Sequence, residues 1–209
     1  MNIPIVYEDD WLLVVNKPAG LLSVPTPKKE SRTLTGILNQ DAAERGLKYN
    51  LHPCHRLDRE TSGLVIYAKG KSTENKMTDA FRNRRVVKKY VAFVHGRLAP
   101  AEGKINLAVE GKDALTKYKV VKEENNYSVV EVYPVTGRTN QIRIHFKSIG
   151  HPLVGEDKFI FRKDFALRFK RVCLHAEYLE FKHPQTGRTV AVEASLPEDM
   201  QKFLQDRSA

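Results

Sequence analysis

No apolar run in the 209-residue chain is longer than five residues, and runs of that length, such as Trp11–Val15, are strand-sized. A membrane-crossing helix needs roughly 20 apolar residues in succession, so that class is excluded. What remains is a fold built from short strands and amphipathic helices. Pro4–Tyr7 and Trp11–Asn16 read as strands, the second closed by the turn Lys17-Pro18-Ala19-Gly20. Ser23–Ser31, with two prolines and two lysines, reads as a loop. Leu34, Ile37 and Leu38 then follow helical spacing, with Ser31 or Thr33 placed to cap the helix. A polar loop reaches His52, and a strand over Leu64–Ala68 follows Asp58.

Farther along, Ser72–Val86 predicts an amphipathic helix with Met77, Ala80 and Phe81 on one stripe. Strands are expected at Tyr90–Val94, Leu115–Val121 and Tyr127–Tyr133. Asn140–Ile149 carries Ile142, Phe146 and Ile149 at i, i+4 and i+7, and it stops at Gly150 with Pro152 beyond. Val172–Phe181 and Thr189–Glu193 form a hairpin across His183–Arg188. Ser195 with Glu198 three residues on has the form of a capping box opening a last helix through Met200, Phe203 and Leu204. Strands outnumber helices and short turns join several of them, so the expected class is α+β with a mainly antiparallel mixed sheet and flanking helices. No composition break marks a linker. One catalytic domain over residues 1–209 is expected, with no room for an appended RNA-binding module.

Hydrophobic residues make up 41% of the chain, enough for a core. Met1-Asn2-Ile3-Pro4 has neither the basic nor the apolar segment of a secretory signal. Cys54 and Cys173 are the only cysteines, which excludes a disulfide framework and fits a reducing cytoplasm. The 35 Lys and Arg outnumber the 25 Asp and Glu by ten. That excess is concentrated: residues 69–89 carry a net +6 and residues 158–171 a net +5. Clustered cations are the footprint of a polyanion, because each one that meets a phosphate releases condensed counterions. Acidic substrates and anionic lipid fit the same footprint. Phe159, Phe161, Phe165 and Phe169 interleave with the second cluster, at spacings suited to anchoring it on the core.

The densest group of reactive side chains is His52-Pro53-Cys54-His55-Arg56-Leu57-Asp58-Arg59-Glu60-Thr61-Ser62-Gly63. A metal site from His52, Cys54, His55 and Asp58 matches none of the usual zinc spacings. A Cys173–His175 nucleophile pair lacks a glycine elbow and an orienting third group. Asp58 offers more. Flanked by Arg56 and Arg59, its carboxylate is favoured in the ionised form, and an ionised carboxylate is a nucleophile toward a glycosidic carbon. No second carboxylate in suitable surroundings accompanies it, which points away from ordinary glycoside hydrolysis. A loop salt-bridge cluster is the alternative.

His55-Arg56-Leu57-Asp58-Arg59-Glu60-Thr61-Ser62-Gly63-Leu64 resembles the HRLDxxTSGL signature of the RluA family of RNA pseudouridine synthases. Tyr7–Asp10 with Val14–Leu21 is similar to that family's first motif, Lys88–Ala92 to the next, and Gly137–His145 to a further one; Gly150–Gly155 and Leu174–Ala176 continue it in order. The resemblance implies the pseudouridine synthase fold with a central cleft, in a short form without an S4-type RNA-binding domain. It also implies a reaction: the N1–C1′ bond of a uridine breaks, the uracil rotates, and C5 joins C1′. Asp58 maps to the essential carboxylate. Tyr90 maps to the tyrosine that stacks on the base near the C5 proton, and Arg143 to the arginine that pairs with the carboxylate.

Arg56, whose guanidinium can stack and hydrogen-bond at once, is the candidate for the space a flipped-out base vacates, and Arg138, Lys17 and the 69–89 cluster are expected to hold backbone phosphates. Neither metal nor organic cofactor is called for. The expected substrate is structured RNA (tRNA, large-subunit rRNA or both) met by a cytoplasmic monomer that needs no membrane. Alternatives are an isomerase acting on tRNA alone, a non-catalytic RNA-binding protein on the same fold, and a nucleoside hydrolase using the same carboxylate.

Overall fold

In the computed structural model, residues 3–27, 30, 32–160 and 167–206 are described. The chain forms two compact units, one from residues 1–87 and 178–194, the other from 88–177 and 195–209. Expectations that fall on Ser31, Phe161 and Phe165 lie outside the described residues.

The first unit contains β1 (Ile5–Glu8), β2 (Leu12–Lys17), α1 (Leu34–Glu44), β3 (Leu51–Pro53), β4 (Ser62–Lys69), α2 (Lys71–Arg82), the C-terminal part of β9 (Leu174–Lys182) and β10 (Thr189–Glu193). Its strand order is β1-β2-β4-β9, with β3 on β4 and β10 on β9. β2 and β4 are antiparallel, Val14 facing Ile66 and Val15 facing Val65. Residues 62–68 of β4 are all buried, so the strand reads as a continuous apolar run because a helix covers each face. Alternation then sorts the side chains. Leu12, Val14, Leu64, Ile66 and Ala68 pack with Met77 of α2, whereas Tyr67, on the opposite face, meets Thr35 of α1 hydroxyl to hydroxyl at 3.1 Å.

The second unit contains β5 (Val87–His95), β6 (Glu102–Asn106), β7 (Leu115–Glu123), β8 (Tyr127–Pro134), α3 (Gln141–Ser148), the first part of β9 and α4 (Glu198–Gln205). Its order is β9-β5-β8-β7-β6, with β5–β8, β8–β7 and β7–β6 antiparallel. Period-two alternation again separates two cores. Ala92, Val94, Val130 and Val132 pack under Ile142 and Phe146 of α3. Val91, Phe93, Tyr127 and Val129 pack with Met200 and Phe203 of α4. Phe146 is fully buried, and truncating a phenylalanine so placed costs about 3–5 kcal/mol.

The α+β class with its mainly antiparallel sheet is the one the sequence implies. Local boundaries differ where turns decide. α2 stops at Arg82, short of Val86, because Arg84 adopts a left-handed φ of 57° that turns Val86 into the core. α4 is capped by Pro197 with no side-chain bond, so the capping box expected from Ser195 does not form; Glu198 and Asp199 instead sit in the first turn, where the helix dipole favours them. Thr33 does cap α1, its side chain accepting from the Gly36 amide at 3.2 Å. Among the described residues no helix is long and apolar enough to cross a membrane.

Two histidines are built into the second unit in the neutral form. Burial first, then the nearby Arg168 guanidinium, pushes the pKa of His95 down to about 4. Burial also lowers that of His145, against the opposing effect of its Nε2–H bond to the Leu107 carbonyl. The unfolded chain protonates these rings near pH 6.5, so their contribution to stability is complete above that pH and is lost as pH falls toward 4. Urea unfolding should show a lower midpoint at pH 5 than at pH 7, with His95 accounting for on the order of 2 kcal/mol of the difference. His95→Gln should flatten that pH dependence.

Candidate active site

Asp58 lies in the loop between β3 and β4, and the backbone on both sides of it is pinned. The Cys54 amide donates to the Ile66 carbonyl at 2.9 Å. The Ile66 amide donates to Nε2 of His55 at 3.1 Å, and that ring packs on Phe81 at 4.5 Å between centroids. The buried Ser23 hydroxyl donates to the Leu57 carbonyl (2.8 Å) and accepts from the Leu57 amide (3.0 Å). The Arg59 carbonyl accepts from the Gly20 amide at 2.8 Å, in a turn where Gly20 holds a φ of +82°. The Thr61 amide closes the loop onto the Asp58 carbonyl at 3.2 Å. Only the backbone is held. The half-buried carboxylate makes no hydrogen bond or ion pair among the described residues of its own unit.

The neighbouring cations do not act as their place in the sequence implies. Arg59 turns toward Glu30, with 3.9 Å between nitrogen and oxygen, and Arg56 is exposed. Leu57 points into the core between them. Neither arginine pairs with Asp58: Arg59 is turned to Glu30 and Arg56 faces solvent. Lys17 is fully buried. Its ammonium donates to the carbonyls of Leu21 (2.7 Å), Pro18 (2.9 Å) and Arg59 (3.2 Å). The expected phosphate contact at Lys17 is therefore corrected: the ammonium ties the β2 turn to the Asp58 loop, and no phosphate can reach it.

In the second unit Tyr90 of β5 faces Val132 and packs, half-buried, on the core beneath α3. Arg143 rises from α3 on that same face of the sheet and is buried. Its Nε donates to Oε2 of Glu156 at 2.7 Å, Nη2 donates to Oε1 at 2.6 Å, and Nη1 donates to the Asn140 side chain at 3.1 Å. Burial pushes the Glu156 pKa up, but the bonds and charge of Arg143 and the amides of Lys158 and Phe159 outweigh it and leave the carboxylate below its ordinary range. Gln141 holds the start of α3. Its carbonyl oxygen accepts from the Thr136 hydroxyl and the Arg138 amide, while its amide nitrogen donates to Leu115 and Thr116. Arg138 is exposed and donates to the Asp113 carbonyl at 3.1 Å, leaving part of its guanidinium open to solvent.

Ser23, Gln141 and Glu156 are the residues that reading from sequence missed. Ser23 and Gln141 carry no signal that a single sequence shows. Glu156 carries an indirect one, since a buried arginine demands a carboxylate and Glu156 follows the Gly150–Gly155 stretch directly.

The other candidates disperse. His52 faces Glu74 at 3.6 Å, and His55 spends Nε2 on a backbone amide. The Cys54 thiol is pushed up to about 12, by burial first and then by Glu74. Burial likewise raises Cys173, so neither thiol is a ready nucleophile. Phe159 lies beneath the Arg143 guanidinium at 5.1 Å, and Phe169 packs edge-on against Phe203.

The sequence matches the family described as RNA pseudouridylate synthase over residues 11–148. The chain belongs to that family. As an RNA pseudouridylate synthase it is an enzyme that isomerises uridine in RNA to pseudouridine. It is 36% identical over 223 aligned residues to an uncharacterized RNA pseudouridine synthase, YlyB, of Bacillus subtilis, covering 99% of this chain and 73% of that protein. It is 37% identical to the dual-specificity RNA pseudouridine synthase RluA of Vibrio cholerae, covering 97% of this chain and 88% of the relative. The human RNA pseudouridylate synthase domain containing 4 superposes with a TM-score of 0.82 at 25% identity, covering 98% of this chain and 93% of the other.

For this synthase, Lys17→Met should lower stability by about 1–3 kcal/mol, because it strips a donor from buried carbonyls. The salt dependence of RNA binding should stay unchanged. Thermal melting and a salt titration of RNA affinity check both halves; a shallower salt slope with unaltered melting would restore the phosphate contact.

Proposed function

We propose that the enzyme forms pseudouridine in structured RNA, in tRNA, large-subunit rRNA or both, with Asp58 as the nucleophile. The observation that carries the reading is the contrast at residue 58, where a clamped backbone presents a carboxylate with no partner among the described residues of its unit. Such a group loses no interaction when it meets an electrophilic sugar or base carbon, and its placement spares most of the orientational cost of the encounter. The reaction is self-contained. The N1–C1′ bond breaks, a C5–C1′ bond forms, C5 loses a proton and N1 gains one.

The reading assigns Tyr90 to the uracil face and the C5 proton, and Arg143 to the Asp58 carboxylate. The family match crosses residues 87 and 88, which supports taking residues 1–209 as one catalytic domain. Arg56, exposed and with no partner among the described residues, is assigned the space left by the flipped-out uridine. Arg138 holds phosphate. The enzyme is assigned to the cytoplasm, acting as a monomer.

Asp58→Asn should abolish pseudouridine formation while melting and RNA affinity hold. Carbodiimide primer extension across tRNA and rRNA, from cells with and without the gene, provides the readout. An unchanged stop pattern, or free uracil as the product, would sink the reading.

The basic 69–89 segment refines the binding surface. Lys69 pairs with Glu8, Lys71 with Glu74, Arg85 with Asp79, and Lys89 with Glu131 and Glu177. Arg82 and Arg84 are exposed without a partner among the described residues. Replacing both with serine should lower the slope of log affinity against log salt by roughly 1.5. The turnover rate at saturating RNA should not change.

A further inference from the structure

We propose that Glu156 is a positioning residue for the reaction, holding the Arg143 guanidinium in its working orientation; this rests on the reading of Arg143 as a catalytic group. Three features make Glu156 more than a counter-charge. The contact is bidentate, Nε to Oε2 at 2.7 Å and Nη2 to Oε1 at 2.6 Å, which fixes the plane of the guanidinium as well as its location. The Glu156 side chain has no solvent exposure, so no alternative rotamer in water competes with this one. The carboxylate is itself held, since Oε1 accepts the amides of Asp157 (3.1 Å), Lys158 (2.9 Å) and Phe159 (3.3 Å). Phe159 then returns beneath the Arg143 guanidinium at 5.1 Å. One carboxylate thus orients the arginine from its edge and places the ring that covers its face.

Backbone packing explains how the acid reaches that place. Gly155 has a φ of +81°, and a Cβ there would lie 1.8 Å from the Arg171 carbonyl oxygen. Only glycine permits the chain to pass so close, and that passage turns residue 156 inward. From the helix side, Asn140 holds a left-handed φ of 55° and its side-chain oxygen accepts from Nη1. Arg143 is therefore gripped at Nε, Nη1 and Nη2 by groups that are themselves fixed. An arginine this constrained is pre-organised, and loss of the grip should slow the chemical step more than it weakens RNA binding.

The test is tritium release from 5-tritiated total RNA, prepared from cells lacking the gene, by the full-length enzyme. Glu156→Gln keeps Oε1 as an acceptor for the three amides but replaces the oxygen facing Nε–H. Its kcat should fall about 10²-fold with RNA affinity held. Glu156→Asp keeps the charge one methylene short and should lose roughly tenfold. The double variant Arg143→Gln/Glu156→Gln should be no slower than Arg143→Gln alone, because a positioning residue has nothing left to position. A native kcat in Glu156→Asp or Glu156→Gln, while Arg143→Gln is inactive, overturns the role of Glu156 and spares that of Arg143. A native kcat in Arg143→Gln overturns both. Losses in kcat, RNA affinity and melting temperature together, or a double variant slower than Arg143→Gln, make Glu156 merely structural and overturn the proposal.

Discussion

A lysine ammonium with no access to water holds the loop that carries Asp58. Placing that charge in the interior is costly unless its donors are used, and the Lys17 ammonium meets three carbonyls from two stretches of chain, residues 18–21 and residue 59. The constraint works in both directions. The carbonyls of Pro18 and Leu21 depend on the ammonium for a donor, while that of Arg59 takes it as a second donor beside the Gly20 amide. The β2 turn and the Asp58 loop are therefore held together by mutual need. Ser23 adds a second fastening through its paired bonds to Leu57. A carboxylate with no bond inside its own unit cannot anchor itself there, so its position has to come from the backbone.

Arg143 in the second unit follows the opposite plan. Its side chain is bonded heavily while its helix is held by Gln141 from below. Burial of an arginine–carboxylate pair is weakly stabilising at best, yet removing one partner costs about 3–5 kcal/mol. Such a pair is better suited to fixing geometry than to raising stability. Arg171 and Asp199 form a second bidentate pair, joining the chain before β9 to the first turn of α4. In that case the carboxylate is half-exposed and the guanidinium also serves the carbonyls of Val172 and Leu174. The two pairs share a chemistry and differ in what they orient.

Legibility in the sequence followed the reach of each interaction. Short apolar runs in Trp11–Asn16, Leu64–Ala68 and Tyr127–Tyr133 reported strands because both faces of the sheet are buried, and the spacing of Ile142 and Phe146 reported α3. Leu51–Pro53 was too short to show a period, and Glu102–Asn106 buries only Ile105, so β3 and β6 left no pattern. The Ser195–Glu198 spacing imitated a capping box that Pro197 displaces by fixing its own φ at −67°. For the site, residue types in the 52–63 segment pointed to Asp58, but proximity in sequence suggested partners that the loop does not make. Arg56 and Arg59 lie beside Asp58 along the chain, yet one faces solvent and the other turns to Glu30. Ser23 lies 34 residues from Leu57 and Glu156 lies 13 from Arg143, distances at which local pattern carries no information.

The same distinction changes the meaning of the excess charge. Counted along the chain, the 69–89 segment offers eight cations to a polyanion. Counted in space, most of them already face acids or carbonyls. Exposed pairs are weak, typically below about 1 kcal/mol, so an incoming phosphate can still recruit Lys71 or Arg85 at small cost. Lys17 is not available in that way, since its ammonium is buried and already donates to three carbonyls. The cations therefore include a buried one that builds the site, a surface class that is shared, and others, such as Arg56, Arg82 and Arg84, with no partner among the described residues. A polyanion that follows the third class and borrows from the second would be steered by charge and then held beside the Asp58 carboxylate. Long-range attraction to the surface and a half-buried carboxylate at Asp58 are compatible because neither arginine nearest it in sequence pairs with it: Arg59 turns toward Glu30 and Arg56 faces solvent.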